Sequence, residues 1–305
     1  NEEKETMKII PLTAEFSRIA DVNQEIEELG RGYGGSIGPA EGPVWIKDGS
    51  YLLFSDIHNN RRMRWTNSDG VTIFQEPTGY ANGLTLDLKG RILACEHGPR
   101  RVTRQDKDGE ITVVAGSFRG TRLNRPNDIV VKSDGCLYFT DPGAPAPELD
   151  MEYSGVYMVS PDLGTITLLV RDFVTPNGLA FSPDESILYI NDTRRQHIRA
   201  FDVLPNGTLA LASDRLFCDL KGDEPGVPDG MKVDSEGNLY CGGSGGIWVI
   251  NSEGDHVGTI SHGESTTTNV AFGGDDLKTL FFTTWNTLGP VSYTHLRAHE
   301  TLRYR

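Results

Sequence analysis

One phrase recurs along the chain and constrains its fold more than any other feature. A polar or acidic residue opens a short apolar run, a turn rich in Asp, Gly or Pro follows, and a second apolar run returns. The copies are EGPVWIKDGSYLLFSD (41–56), NGLTLDLKGRILACEH (82–97), NDIVVKSDGCLYFTDP (127–142), PNGLAFSPDESILYINDT (176–193), DGMKVDSEGNLYCGGS (229–244) and NVAFGGDDLKTLFFTT (269–284). Read alone, Pro176-Asn177-Gly178 is a turn, since Asn and Gly both tolerate positive φ. Six copies make it part of a repeat. Their opening residues, Glu41, Asn82, Asn127, Asn177, Asp229 and Asn269, stand 40 to 52 residues apart, and each period has room for four short strands separated by turns. The pattern predicts an all-β chain, a six-bladed β-propeller of four-stranded antiparallel blades around a central channel.

The sixth copy leaves little chain for a full blade. An N-terminal strand near Glu25 to Leu29 is expected to complete it, so residues 1–30 read as lead-in and closing strand and 31–289 as the propeller, all in one domain. The ending GPVSYTHLRAHETLRYR (289–305) follows no blade pattern, and 290–305 reads as an atypical tail, foreign to the repeat. His295 and His299 lie four apart there without the HExxH order of a zinc helix.

Composition narrows the partners. Lys plus Arg total 29 against 43 Asp plus Glu, a formal charge of −14, which repels phosphate backbones and anionic lipid. Neither nucleic acid nor a membrane is an expected partner; oligomeric state is left open. Cys95, Cys136, Cys218 and Cys241 are widely spaced without a CxxC pair and read as reduced residues, three of them within strands. Residues 1–15 lack the charge and apolar run of a leader, so a cytoplasmic location is expected, or a periplasmic or secreted one had a leader been removed.

In an antiparallel hairpin the start of one strand and the end of the next share an end. If each opening residue starts an innermost strand, all six ring one mouth of the channel, two carboxylates and four amides. The second-strand ends bring Asp56, Glu96, His97, Asp141 and Asp192 to the same side. Turn preference accounts for Asn and Asp there but not for Glu41. Converging carboxylates repel one another unless a cation sits between them. Oxygen-only ligation points to one hard divalent ion, calcium first, with magnesium, manganese or zinc as the other choices.

The phrases AEGPVW (40–45), RPND (125–128), PNGLAFSPD (176–184) and PDGMKVDSEGNLY (228–240) resemble the SMP-30/gluconolactonase/LRE-like family of six-bladed propellers, over roughly residues 15 to 289. The resemblance implies a metal held by Glu41, Asn177 and Asp229, with Asn127 beside the metal or the substrate and Arg125 reaching the substrate. GYANGLTLD (79–87) and ACEHGPRRV (94–102) resemble the bacterial gluconolactonase branch and place Asn82 and His97 at the rim. Thr140-Asp141-Pro142 and the insert GAPAPELDMEYSG (143–155) depart from the animal branch, where an acid after the third-blade hairpin helps bind sugar.

The implied activity is metal-dependent hydrolysis of sugar-acid lactones, the substrate being a small lactone. The ion polarises the carbonyl and activates water, Asp229, His97 or Asp141 takes the proton, and Arg125, Asn127, Asn82 and Glu96 surround the substrate. Two alternatives use the same fold: a phosphotriesterase or broad esterase on the same metal, and a non-catalytic binding scaffold, which would present an apolar or aromatic mouth. The serine-hydrolase lookalike Gly242-Gly243-Ser244-Gly245-Gly246 lies between strands, where a nucleophile elbow needs a strand and a helix.

Overall fold

The computed structural model of the protein describes residues 7–35 and 38–293. They form six small antiparallel sheets in sequence order around a channel, a six-bladed β-propeller. Blade 1 comprises Ala40–Ile46, Tyr51–Asp56, Arg61–Thr66 and Gly70–Gln75. Blade 2 comprises Ala81–Leu86, Ile92–Glu96, Arg101–Gln105 and Ile111–Ala115. Blade 3 follows with Ile129–Val131, Leu137–Asp141, Gly155–Val159 and Ile166–Val170, and blade 4 with Pro176–Phe181, Ile187–Asp192, His197–Val203 and Leu209–Asp219. Blade 5 is Met231–Val233, Leu239–Gly243, Gly246–Ile250 and His256–Ser261, widened by Lys8–Pro11 on its outer edge.

Blade 6 contains Thr267–Gly273, Thr279–Thr284 and Thr287–Ser292, and its fourth strand is Gly30–Arg31 from the other end of the chain. The ring is therefore closed by an N-terminal strand, placed just after the stretch expected to supply it. Leu29 opens the pairing, its N–H donating to Leu288 O at 2.8 Å. Ahead of it, the Gln24 side chain takes the place of a main-chain partner, donating to Ser292 O (2.7 Å) and accepting from Ser292 N (2.8 Å). The third strand also runs to Ser292, beyond the boundary expected at 289, because Val291 and Tyr293 are buried in the core at 1% and 5% exposure. His295 and His299 lie outside the described residues.

The core is divided among the blade interfaces. Side chains alternate across a strand, so Leu52 and Phe54 of blade 1 pack against Phe281 and Leu288 of blade 6, while Leu53 turns to Leu84 and Ala94 of blade 2. The same alternation builds apolar clusters between blades 2 and 3, 3 and 4, 4 and 5, and 5 and 6. Innermost strands are covered on both faces, as for Ala81–Leu86, in which every residue is buried. Cys95, Cys218 and Cys241 are buried and unbridged, and Cys136 is partly buried and unbridged. Among the described residues no helix is long and apolar enough to cross a membrane.

Candidate active site

The opening residues of the six copies do form one ring, and the bonds between neighbouring blades can be followed around it. Ser55 Oγ of blade 1 donates to Asn82 O (2.6 Å), and Gly83 N of blade 2 to Asn127 O (2.9 Å). Thr140 Oγ1 of blade 3 donates to Asn177 O (2.8 Å), and Asn191 Nδ2 of blade 4 to Asp229 O. Gly230 N of blade 5 donates to Thr268 O (2.7 Å), and Thr268 Oγ1 of blade 6 returns to Ala40 O of blade 1.

The glycines after the opening residues make this closeness possible. A Cβ at Gly42 would overlap Asn82 O, at Gly83 Asn127 O, at Gly178 Asp229 O, and at Gly230 the Asn269 side chain. Of these only Gly42 has a left-handed φ, +54°. Gly178 is thus present for close approach of two backbones rather than for a turn conformation.

With the main chain fixed, the side chains converge inward. Asn82 Oδ1, Asn127 Oδ1, Asn177 Oδ1 and Asp229 Oδ1 are covered from solvent and have no hydrogen-bond partner among the described residues. Buried acceptors are normally satisfied, so four unpaired oxygens at equivalent positions of one ring define a preformed acceptor cradle. The nitrogen side of Asn177 is occupied: its Nδ2 donates to Thr193 Oγ1 (3.1 Å), which donates on to Pro228 O (2.8 Å), and this holds Oδ1 free.

Glu41 lies in the same ring at 2% exposure, its Oε2 accepting from Gly42 N and from Asn269 Nδ2 (2.9 Å). Asp128 joins it from blade 3. It is 2% exposed, and the Asn269 Nδ2 that serves Glu41 also reaches Asp128 Oδ2 (3.4 Å) from the opposite side of the channel. Sequence reasoning passed over Asp128. The available signal was that four copies have Gly after the opening residue and this one has Asp. Lys232 closes the network, donating to Asn269 Oδ1 at 3.4 Å.

The electrostatics follow from crowding. Burial, then Asp229 and Asp128, holds the Glu41 carboxyl well above the usual carboxylate range. Burial first, with the Asp128 charge also raising it, pushes Asp229 up to about 7. Burial raises Asp128 as well, against the opposing pull of Lys232. Three carboxylates against one ammonium make a site that disfavours its own ionisation unless further positive charge is present.

The rim residues divide. His97 is pushed down to about 4 by burial and by the nearby Arg125 and His58. Its Nε2 stands 3.3 Å from Asn82 Nδ2, a pairing that needs a neutral imidazole accepting at Nε2. Arg125 is half exposed and bonded to Glu148 of the 143–155 insert (3.3 Å), so that insert forms one wall beside it. Asn127 and Asn82 contribute the open oxygens already described.

Glu96 is directed elsewhere: its oxygens accept from Arg101 Nε (2.7 Å) and Thr103 Oγ1 (2.8 Å) on its own blade, in the cleft toward blade 1. Asp141 is fully buried, with Oδ2 accepting from Asn124 N (2.8 Å) and burial raising it to about 7. Asp56 and Asp192 hold the corresponding loops, through Gly34 N (2.6 Å) and Val174 N (2.7 Å). These second-strand acids tie the entering loops to the blades, and Asp141 keeps its Oδ1 buried without a hydrogen-bond partner among the described residues. Ser244 of the Gly-rich hairpin donates to Glu224 O (2.8 Å) and accepts from Glu224 N (2.9 Å), a loop clasp.

A six-bladed propeller whose inner strands begin with a ring of buried oxygen donors is a recognisable class. The SMP-30/Gluconolactonase/LRE-like region matches residues 39–286, and the chain belongs to that family. It is 34% identical over 281 residues to the gluconolactonase of Zymomonas mobilis, covering 83% of this chain and 77% of that one. A gluconolactonase of known structure from Xanthomonas campestris superposes with a TM-score of 0.82 at 30% identity, covering 95% of this chain and 96% of the other. The calcium-binding protein regucalcin from Agrobacterium tumefaciens shares the fold, with a TM-score of 0.72 at 20% identity over 90% of this chain and 96% of its own.

Proposed function

We propose that the chain hydrolyses sugar-acid lactones with the help of one divalent metal ion, calcium being the first choice. The observation that carries the reading is the set of unpaired, buried oxygens of Asn82, Asn127, Asn177 and Asp229, facing a channel that also holds Glu41 and Asp128. All are hard oxygen donors, which suits calcium or magnesium better than a soft-ligand metal. With Glu41, Asp128 and Asp229 ionised and Lys232 protonated, the local charge of minus two matches a divalent cation. The similarity to gluconolactonases supplies the substrate class.

Glu41, Asn177 and Asp229 would hold the ion, with Asn127 beside it. When bound, the ion supplies Lewis-acid polarisation of the lactone carbonyl and lowers the pKa of water. The chain's own residues do the rest. Asn82 and Asn127 present acceptor oxygens to the hydroxyls of a polyhydroxy substrate, and Arg125 adds a cation at the rim where a carboxylate product forms. Asp229 is the proton acceptor best placed by geometry, with Oδ1 unpaired and directed into the channel. His97, neutral and bonded to Asn82, orients that amide. The polar, acid-lined mouth does not suit the apolar scaffold alternative.

A pH-stat assay with gluconolactone before and after exhaustive chelation tests the reading, with a phosphotriester assayed in parallel. Lactone turnover that chelation abolishes and calcium restores is the expected result. Turnover unchanged by complete metal removal, or phosphotriester turnover exceeding that of the lactone, would overturn it.

A further inference from the structure

The interface between blades 1 and 2 is built differently from the other five. Its apolar cluster, Val44, Leu53, Ala81, Leu84, Leu86 and Ala94, is confined to the two inner strands of each blade. Outward of it the facing strands present Arg62, Gln75, Glu96, Arg101, Thr103 and Gln105 to a cavity of about 230 Å³. Arg62 is 3% exposed. Its Nη1 donates to two neutral amide oxygens, Gln105 Oε1 (2.9 Å) and Gln75 Oε1 (3.2 Å), while Nε has no partner among the described residues.

Glu96 shares the cavity wall but is engaged by Arg101 and Thr103. Two guanidinium groups therefore face one carboxylate. Arg199, the comparably buried arginine at 8% exposure, is bracketed by Asp172 and Asp214, as a buried charge ordinarily is. Burial lowers Arg62 only to about 10, so it stays charged at neutral pH. A buried cation whose printed hydrogen bonds go only to neutral amides, and which shares the Glu96 charge with Arg101, has a local electrostatic demand that its own protein meets only in part.

We infer that the cavity between blades 1 and 2 is a binding site for one small oxyanion, a carboxylate or a tetrahedral anion of sulfate size, held by the Arg62 guanidinium. The anion accepts from the Arg62 guanidinium where it lines the cavity and restores local neutrality, in the charge-assisted geometry that guanidinium groups favour. The amides of Gln75 and Gln105 fix the plane of the fork. The site lies in the cleft between the two blades, outward of their apolar cluster, and does not depend on the lactonase reading.

Thermal unfolding of the full chain is measured against increasing sulfate and, separately, acetate, with chloride holding ionic strength constant. The expected result is a saturable rise in Tm with at least one of them; whichever anion saturates identifies the class. General exclusion of sulfate from protein surfaces gives an unsaturated, variant-independent rise and is subtracted by comparison. Gln105→Glu places a carboxylate on Arg62 without changing side-chain size, and is expected to raise Tm in chloride alone and abolish the saturable component. Arg62→Met is expected to abolish it too, and should that variant fail to fold, Gln105→Glu carries the test. No saturable component for either anion in the parent chain, or one that survives Gln105→Glu, overturns the assignment.

Discussion

Single atoms decide what this mouth can do. Asn177 reads as a turn residue until its Nδ2 is seen held by Thr193, which leaves Oδ1 unpaired toward the channel. Asp229 has the same unpaired oxygen with a charge behind it. Replacing Asp229 by Ala is expected to lower lactone turnover by about 10²–10⁴-fold and to remove stoichiometric metal, read by pH-stat and by metal analysis; a metal-free Asp229→Ala protein with full activity would sink the site. His262 makes a separate prediction. It is 1% exposed and accepts from Glu264 N (3.2 Å) through Nδ1, so its Nε2–H faces Thr267 Oγ1 (2.6 Å) and the ring must be neutral. Burial pushes it down to about 4. The unfolded chain, with an ordinary histidine near 6.5, binds the proton first as pH falls. The stabilisation is therefore full above about pH 6.5 and lost progressively toward pH 4. Between pH 7.5 and 5 the loss should be on the order of 2 kcal/mol, measured by urea unfolding as the difference between the parent chain and His262→Gln.

At the scale of strands, the glycine after four of the six opening residues sets how near one inner strand comes to the next. Gly178→Ala should destabilise by about 1–3 kcal/mol through overlap with the Asp229 carbonyl and should also reduce turnover, because the displaced backbone is that of Asp229, the proposed proton acceptor. Gly90 is the contrast: its φ is +74° and a Cβ there meets nothing within 4 Å. Gly90→Ala should cost only the left-handed conformation, about 1–2 kcal/mol, and leave activity intact. Equal activity loss in the two variants would contradict the packing argument. The second-strand acids follow the same logic, since Asp56, Asp141 and Asp192 each give a carboxylate oxygen to a loop N–H group.

For the whole molecule, closure is the critical contact. Gly30–Arg31 supplies the outer strand of blade 6, and Arg31 also bridges Glu28 (2.6 Å) and Glu264 (2.7 Å). Removing residues 1–31 should leave that sheet open and its edge prone to association, giving insoluble or aggregated protein. Removing residues 1–11 deletes, among the described residues, the extra outer strand of blade 5 with buried Ile9, and should lower Tm while keeping a soluble, active ring; size-exclusion chromatography and thermal melts check both. The proposed metal ion would act on the same scale. An ion that binds the folded ring alone stabilises it by about 2.7 kcal/mol at a hundredfold excess over Kd, so chelation should lower Tm and calcium should restore it.

The sequence by itself determined the blade number, the all-β class and the residues at the mouth. Period-two alternation and a 40- to 52-residue repeat are local properties that survive without knowledge of what packs where. Glu41, Asn82, Asn127, Asn177 and Asp229 were legible because closeness to a strand's start is a position along the chain: each lies within two residues of one, at Ala40, Ala81, Ile129, Pro176 or Met231. Only the tertiary structure decided which way side chains at such positions point and what they meet. Glu96, one residue from the rim, turns to Arg101 in the cleft between blades; Asp141 turns to Asn124; Asp128 reaches Asn269 across the channel. Those outcomes depend on distances between blades far apart in sequence, set by backbone approach at Gly83, Gly178 and Gly230, and no local pattern encodes them.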